Sequence, residues 1–512
     1  MASTANLRTR RSVAQLQALA GVEREIRSQD SSSRRKYLQD FTHAFRNYEA
    51  VLEFAEWKLL VAQSDVVLIG DYHALPASQR FAARLLEELA HGDRPVVLAL
   101  ETIFARDQHI LDEWWRREID EDELRHRIRF DLDWGYDWEP FSELLFTARE
   151  HAEGLYGLDC MPREDLRKIG ARDKHAAHKL AEIRRRHPKA VILVLFGESH
   201  LAPDHLPREL QQHFSSERVL TVLQNVDALY WQAAGEPRDV VEAVRVNESV
   251  TCVFNSTPLE KYEHYRLHLS RWGCGGDGGP DLAPTVYNLI DSLLGFLGIN
   301  RYSSHNGTQP KFLVDLMPEV YGPSCGARLR RLMLRQGMTD LQIYELLSRI
   351  EERGSIYIPQ VNAFFVREFQ MMYAAEEAAR FLHHACRGLP WRGKAWIDGD
   401  GSDRFYSRTL EHVLGYFGSR MLYPARPGNS SEDEIEVRRV PRFTDEKKCE
   451  TSAQLLGYML GDALYHAYIM GDIPTSQIRR LFLKHLDQPG SAKQVYAELA
   501  AKVSPRQRRC RK

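Results

Sequence analysis

The chain is poor in thiols, and those it has are badly spaced for cross-linking. Its seven cysteines, Cys160, Cys252, Cys274, Cys325, Cys386, Cys449 and Cys510, are an odd set with no Cys-x-x-Cys pair, which argues against a disulfide framework and against a thiolate zinc site. A reducing compartment is the expectation. Net charge is nearly absent: 69 Lys plus Arg stand against 71 Asp plus Glu, a formal −2 over 512 residues. No overall field therefore recruits nucleic acid or an anionic bilayer. Long apolar runs are missing too. The most apolar one, Ala190 to Phe196, is far short of the roughly 20 residues of a spanning helix, and membrane insertion is not expected. The first residues are basic, with Arg8, Arg10 and Arg11, but Ser12 to Val22 mixes Gln with Ala and Leu and runs into Glu23-Arg24-Glu25. That stretch lacks the continuous apolar core of a signal peptide, and a cytoplasmic protein is expected. No fixed-period repeat marks the second half, so a solenoid is not supported.

What is present is enough for two or three cores: 43% of residues are hydrophobic and 27% charged. Residues 1–34 are polar, Ser- and Arg-rich and weakly patterned, and are expected to form a flexible tail. From Arg35 to Leu60 the apolar positions Leu38, Phe41, Phe45, Tyr48, Val51, Leu52, Phe54 and Ala55 recur mostly at three- and four-residue steps, which predicts an amphipathic helix. The period then changes. Short β-rich blocks follow at Val66–Ile69, Pro95–Leu100, Leu155–Leu158, Val191–Phe196 and Val219–Leu223, with helical patterns between most of them. Such alternation predicts an α/β domain over residues 35–272, a mainly parallel sheet with flanking helices, to which Val244–Phe254 adds an edge strand.

Five glycines and a proline between Gly273 and Pro280 can hold neither helix nor strand, so residues 273–283 are expected to be a linker. Residues 284–504 read as a mostly helical domain. Thr339 caps a helix running to about Arg353, and further helical segments lie at Phe364–Cys386, Ala453–Met470 and Thr475–Leu486. Only Ser355–Ile358 looks like a strand there. Residues 505–512 form a short basic tail.

The chemistry concentrates at strand ends. The block Val66–Ile69 ends in Gly70-Asp71-Tyr72-His73, and Val191–Phe196 ends in Gly197-Glu198-Ser199-His200. Each turn is Gly-x-x-His with an acid after the glycine. Glycine permits a sharp turn, and the carboxyl edge of a parallel sheet is where ligand crevices open. A third block delivers Glu101 to the same edge. Imidazoles and carboxylates so gathered suit a divalent cation, held by His73, Glu101 and His200, with Glu198 or Asp71 as general base.

These two turns and the strand-end Glu101 resemble the ChaN-like branch of the Tiki superfamily, which also includes TraB and the erythromycin esterases. The resemblance continues through Glu101-Thr102-Ile103-Phe104-Ala105-Arg106-Asp107-Gln108, Trp134-Gly135-Tyr136-Asp137-Trp138, Gly157-Leu158 and Arg172-Asp173. It covers roughly residues 35 to 255. Asp71 stands where the family usually has Glu, and no secretion signal or lipoprotein cysteine is read before the domain. The resemblance implies the ChaN-like α/β fold and one of two activities: haem binding with iron uptake, or the metal-dependent proteolysis and ester hydrolysis of the related branches. For haem it offers Tyr72, Tyr136, His73 or His200 as axial ligands, with no spacing that selects one. Arg106 and Arg172 either face the site as anion partners or pair with nearby acids.

Three readings stay open. The first is a cleft binding haem or a divalent ion (Mn, Co, Zn or Fe). The second is a metal-dependent hydrolase of ester or peptide bonds, and the third an interaction or regulatory protein with a vestigial site. A small-molecule ligand or substrate is the expected partner, and homo-oligomerisation is left open.

Overall fold

The computed structural model describes residues 4–30, 36–160, 169–273, 280–302, 313–387, 401–428, 446–486 and 488–503. Two compact units emerge, Glu23–Gly273 and a second made of Met1–Val22 with Cys274–Lys512.

The first unit is built on an eight-stranded sheet in the order β1-β7-β8-β6-β2-β5-β3-β4. The strands are β1 Ala50–Leu52, β2 Val66–Asp71, β3 Val96–Phe104, β4 Gly154–Asp159, β5 Val191–Gly197, β6 Val219–Gln224, β7 Ala243–Asn247 and β8 Val250–Val253. From β4 through β3, β5, β2 and β6 to β8 every pairing is parallel; β7 is antiparallel to β8 and to β1. The central strands are apolar on both faces because each face is covered. Val67, Ile69, Leu98, Leu193 and Leu195 face one core with Phe81, Leu85 and Leu86 of the helix Pro76–Ala90. Their alternates Val66, Leu68, Val97, Ile192 and Val194 face another with Ala176, Ala177, Leu180 and Ile183 of the helix Ile169–Arg186.

The expected α/β domain with a mainly parallel sheet is thus observed, with two local differences. Arg35–Leu60 is not one helix: Lys36–Ala44 and Phe54–Ala62 are helical, and β1 lies between them. Ala50, Val51 and Leu52 pair with Arg245, Val244 and Ala243, and cross-strand pairing outweighs the helical spacing. Val244–Phe254 supplies two strands rather than one, because β7 folds back on β8.

The second unit is mostly helical, as expected, with helices Ala283–Leu297, Met371–Ala385, Gly401–Leu422, Glu446–Met470, Thr475–Leu483 and Ser491–Val503. It also holds a three-stranded sheet of β9 Glu319–Tyr321, β10 Ser355–Ile358 and β11 Ala363–Val366, ordered β10-β11-β9. Thr339 does cap the helix Asp340–Arg353 through a reciprocal capping box with Gln342. Phe364–Cys386, by contrast, begins as β11, whose residues are all buried, and turns helical only at Met371.

The largest correction is at the start of the chain, where the expected flexible tail is instead the helix Thr4–Gln29. Its buried residues are Leu7, Ala14, Ala18, Leu19, Val22 and Ile26, joined by the polar or charged Arg11, Ser12 and Gln15. Two alanines and three polar or charged residues among these positions dilute the hydrophobic signal, which is why the pattern looked weak. Within the second unit this helix is also hydrogen-bonded: Asn288 Nδ2 donates to the Ala18 carbonyl at 3.1 Å and Arg10 to the Tyr468 carbonyl at 2.6 Å. Residues 274–279 of the expected linker and the basic tail lie outside the described residues. Among the described residues no helix is long and apolar enough to cross a membrane.

Candidate functional site

Strand order brings the three acid-bearing segments together. β5 lies between β2 and β3, with Asp71 in register with Gly197 and Leu100 with Leu195, so the two Gly-x-x-His turns leave the sheet beside Glu101, which lies within β3 rather than at its expected end, one residue past the last pair with β5. A 3-10 turn, Glu198–Leu201, carries His200 back over the edge. The absence of a side chain at Gly197 makes the convergence possible. A Cβ there would stand 2.9 Å from Glu101 Oε2, 3.4 Å from His73 Nε2 and 3.5 Å from His200 Cδ2.

Glu101 is the hub. One carboxylate oxygen accepts from Arg172 and the other from the Gly197 N–H, while His73 Nε2 and His200 Nε2 stand 3.6 Å and 3.8 Å away. Burial pushes this carboxyl up, but the charges of Arg172, His200 and His73 and the Gly197 N–H together hold it down at about 2. Arg172 also forks onto Asp159 at 2.9 Å and 2.8 Å. Each imidazole is fixed from behind: His73 Nδ1 lies 2.7 Å from Asp71 Oδ2, and His200 Nδ1 lies 2.6 Å from Asp173 Oδ1. When Nδ1 donates to its carboxylate, Nε2 is left as the basic, ligating nitrogen on the side of Glu101.

In front of this cluster opens a cavity of about 840 Å³, within the roughly 300–1,000 Å³ of small-molecule sites. Its wall mixes aromatic and charged side chains. Trp134 and Tyr136 each approach His73 to 5.3 Å between ring centroids, and Tyr37, Tyr72, Tyr262 and Tyr265 line the cavity with them. The helix Pro258–Gly273 supplies Lys261, whose ammonium lies 2.9 Å and 3.1 Å from the Glu198 carboxylate and 4.5 Å from the centre of the Tyr72 ring. Burial raises the Glu198 carboxyl against the pull of Lys261. Burial opposes the charge on Lys261, yet Glu198 and Asp227 raise it further. Burial, with nearby Tyr262 and Glu198, pushes the Tyr72 phenol well above its usual range.

Of the residues singled out in the sequence, Tyr72, His73, Glu101, Tyr136, Arg172, Glu198 and His200 all line the cavity. Two do not. Asp71 is buried behind His73, also accepting from Gln79. Arg106 is half exposed, 3.6 Å from Asp107 and over the Phe104 ring. His73, Glu101 and His200 meet, yet among the described residues no three His, Cys, Asp or Glu side chains are arranged to hold a metal ion. The Arg172 guanidinium already places a positive charge on Glu101, where a divalent cation would have to compete. Sequence reasoning missed Lys261, Asp159 and Gln79, and it quoted Asp173 without a role. Asp173 had a legible signal, its adjacency to Arg172. Lys261 had none, since a single lysine on a helix normally means a solvated face.

Residues 57–192 match the family described as haem-binding uptake, Tiki superfamily, ChaN, as the order of landmarks led us to expect. The match includes the first Gly-x-x-His turn, Glu101 and Arg172 and ends before the second turn. Among solved structures, the chain is similar to ChaN of Campylobacter jejuni, solved with cofacial haem binding, at 17% identity over 34% of this chain and 86% of that one, with a TM-score of 0.27. It is also similar to the type III effector HopBA1 at 13% identity over 41% of this chain and 96% of that one, with a TM-score of 0.30. Both are too distant to carry chemistry from one site to another. No curated protein matches the chain.

Proposed function

We propose that the ChaN-like unit binds haem in the cavity in front of Glu101, with His73 as the principal iron ligand and His200 as the second candidate. The carrying observation is the pair of imidazoles on neighbouring strand ends, each held by an aspartate through Nδ1, so that both Nε2 atoms serve one cavity. His73 leads because its side chain is 15% exposed against 4% for His200. Tyr72 ranks below both, since a phenol pushed upward by burial gives up its proton reluctantly. The residues fit a flat apolar ring with acidic substituents: Trp134 and Tyr136 bring aromatic surface to the wall, and Arg46 and Lys261, the latter paired with Glu198, bring cations. Bound haem iron would supply an open coordination position and one-electron chemistry. A bare divalent ion is the weaker form of this reading, because Arg172 already occupies Glu101.

The test is a haemin titration of the full chain followed by its Soret band. Native protein should shift the band with saturable stoichiometry, and the joint His73→Ala and His200→Ala variant should lose the shift while keeping its far-UV spectrum. An unchanged shift in that variant would overturn the assignment.

One observation favours a second reading, hydrolysis of an ester or peptide bond. The Asp71–His73 and Asp173–His200 pairs are also the carboxylate–imidazole arrangement of a general base. Turnover of simple esters that survives chelators and disappears in His73→Ala would establish it.

A further inference from the structure

In the second unit, the helix Gly326–Arg335 and the helix Asp340–Arg353 are joined by Gln336-Gly337-Met338-Thr339. Gly337 takes φ +81° there, a backbone turn that glycine accepts without strain. Their inner faces, Leu329, Met333, Ile343 and Ile350, pack with Tyr321, Ile356, Ile358 and Phe365 of the small sheet. The two helices are thus joined by a short glycine-containing turn and followed by the β10–β11 hairpin.

The outer faces carry opposite charge. The first helix exposes Arg328, Arg330, Arg331 and Arg335; the second exposes Asp340, Glu345, Glu351 and Glu352. Large apolar side chains stand out among them, with Leu334 44%, Leu341 67% and Tyr344 71% exposed. Leu341 and Tyr344, three apart, share one helical face, and exposed apolar groups rimmed by charge mark an interaction surface. A nucleic-acid duplex is a poor occupant, because the second helix would set its carboxylates against phosphates. A partner must offer acid to the first helix and base to the second, which this surface itself does. Two intrachain pairs would be exchanged, Arg330–Asp340 at 3.1 Å and Arg367–Glu351 at 3.6 Å. Both are solvent-exposed and contribute little.

We propose that this helix pair is a self-association surface. A second copy of the chain seats its basic first helix on the acidic second helix about a two-fold axis, with Leu334, Leu341 and Tyr344 closing the centre.

Sedimentation of the full chain at micromolar concentration tests this. The native chain should be dimeric. Arg331→Glu with Arg335→Glu, and separately Glu345→Lys with Glu352→Lys, should each weaken self-association by roughly a hundredfold, since like charges then face each other. Both variants should keep the native far-UV spectrum. Mixing the two should restore a dimer, because each of the two contacts then pairs opposite charges again. A monomeric native chain would overturn the proposal, as would a dimer indifferent to these changes or variants that fail to pair when mixed. Tight duplex DNA binding lost with Arg331 and Arg335 would overturn it as well, assigning the face to nucleic acid.

Discussion

The two Gly-x-x-His turns share a pattern but are wired differently. In the first, the acid after glycine, Asp71, reaches back to its own histidine, His73. In the second, the corresponding Glu198 turns away to Lys261, and His200 is held by Asp173 from the helix Ile169–Arg186. Side-chain length accounts for the division. The short aspartate stays beside the turn, whereas the longer glutamate reaches another element. A position in a motif therefore does not fix a role; what the side chain can touch does. The turns converge on Glu101, and Arg172 holds that point by bonding both Glu101 and Asp159.

The largest effect should come from removing that clamp. Arg172→Leu leaves Glu101 and Asp159 buried without their cation, and breaking a buried pair from one side costs about 3–5 kcal/mol. Urea denaturation at pH 7 should show that loss. Acid should then reduce it. Glu101 is held at about 2 in the folded chain against an ordinary 4.5, so its contribution is present above 4.5 and is lost as pH falls toward 2. The native chain should thus approach the variant's stability at pH 3. A gap that is small at pH 7, or that widens in acid, would mean that Arg172 is not the clamp.

The next effect separates the two wirings. Asp71→Asn and Asp173→Asn each loosen a histidine through Nδ1, and groups that orient a ligating histidine are worth about 10–100-fold in affinity. Haemin binding should weaken within that range in both. Glu198→Gln, which touches neither imidazole in the bonding described, should weaken it less. Equal losses for Glu198→Gln and Asp173→Asn would break the asymmetry and return Glu198 to the place its motif position suggested.

How much of this could be read in the sequence depends on where each signal resides. Val66–Ile69, Val191–Phe196 and Pro95–Leu100 announced β2, β5 and β3 because strands buried on both faces are continuous apolar blocks. The residues just past them, His73, Glu101 and His200, were found for the same reason. β1 was not legible: Ala50–Leu52 extends only because β7 is there to pair with it. The helix Thr4–Gln29 was hidden because Arg11, Ser12 and Gln15 are buried among its apolar positions and dilute their periodicity. Lys261 and Asp159 reach the site from elements whose placement no local pattern specifies. Arg106, beside Glu101 in the familiar run of residues, lines no part of the cavity, because the 3-10 turn Ala105–Asp107 carries it out of the strand.

The smallest expected difference lies between the two glycines. A Cβ on Gly70 would meet Glu198 Cβ and Leu201 Cδ1 at 3.4 Å, an ordinary contact that small shifts accommodate. A Cβ on Gly197 would stand 2.9 Å from a Glu101 oxygen, and that carboxylate cannot swing aside without leaving Arg172 and the Gly197 N–H. Gly197→Ala should therefore cost about 1–3 kcal/mol, the usual penalty of overpacking, and Gly70→Ala less. Urea midpoints of the two variants compare them directly. If Gly70→Ala proved the costlier change, the crowding at the site would belong to the Glu198–Lys261 side, and Glu101 would not be the fixed point around which both turns are arranged.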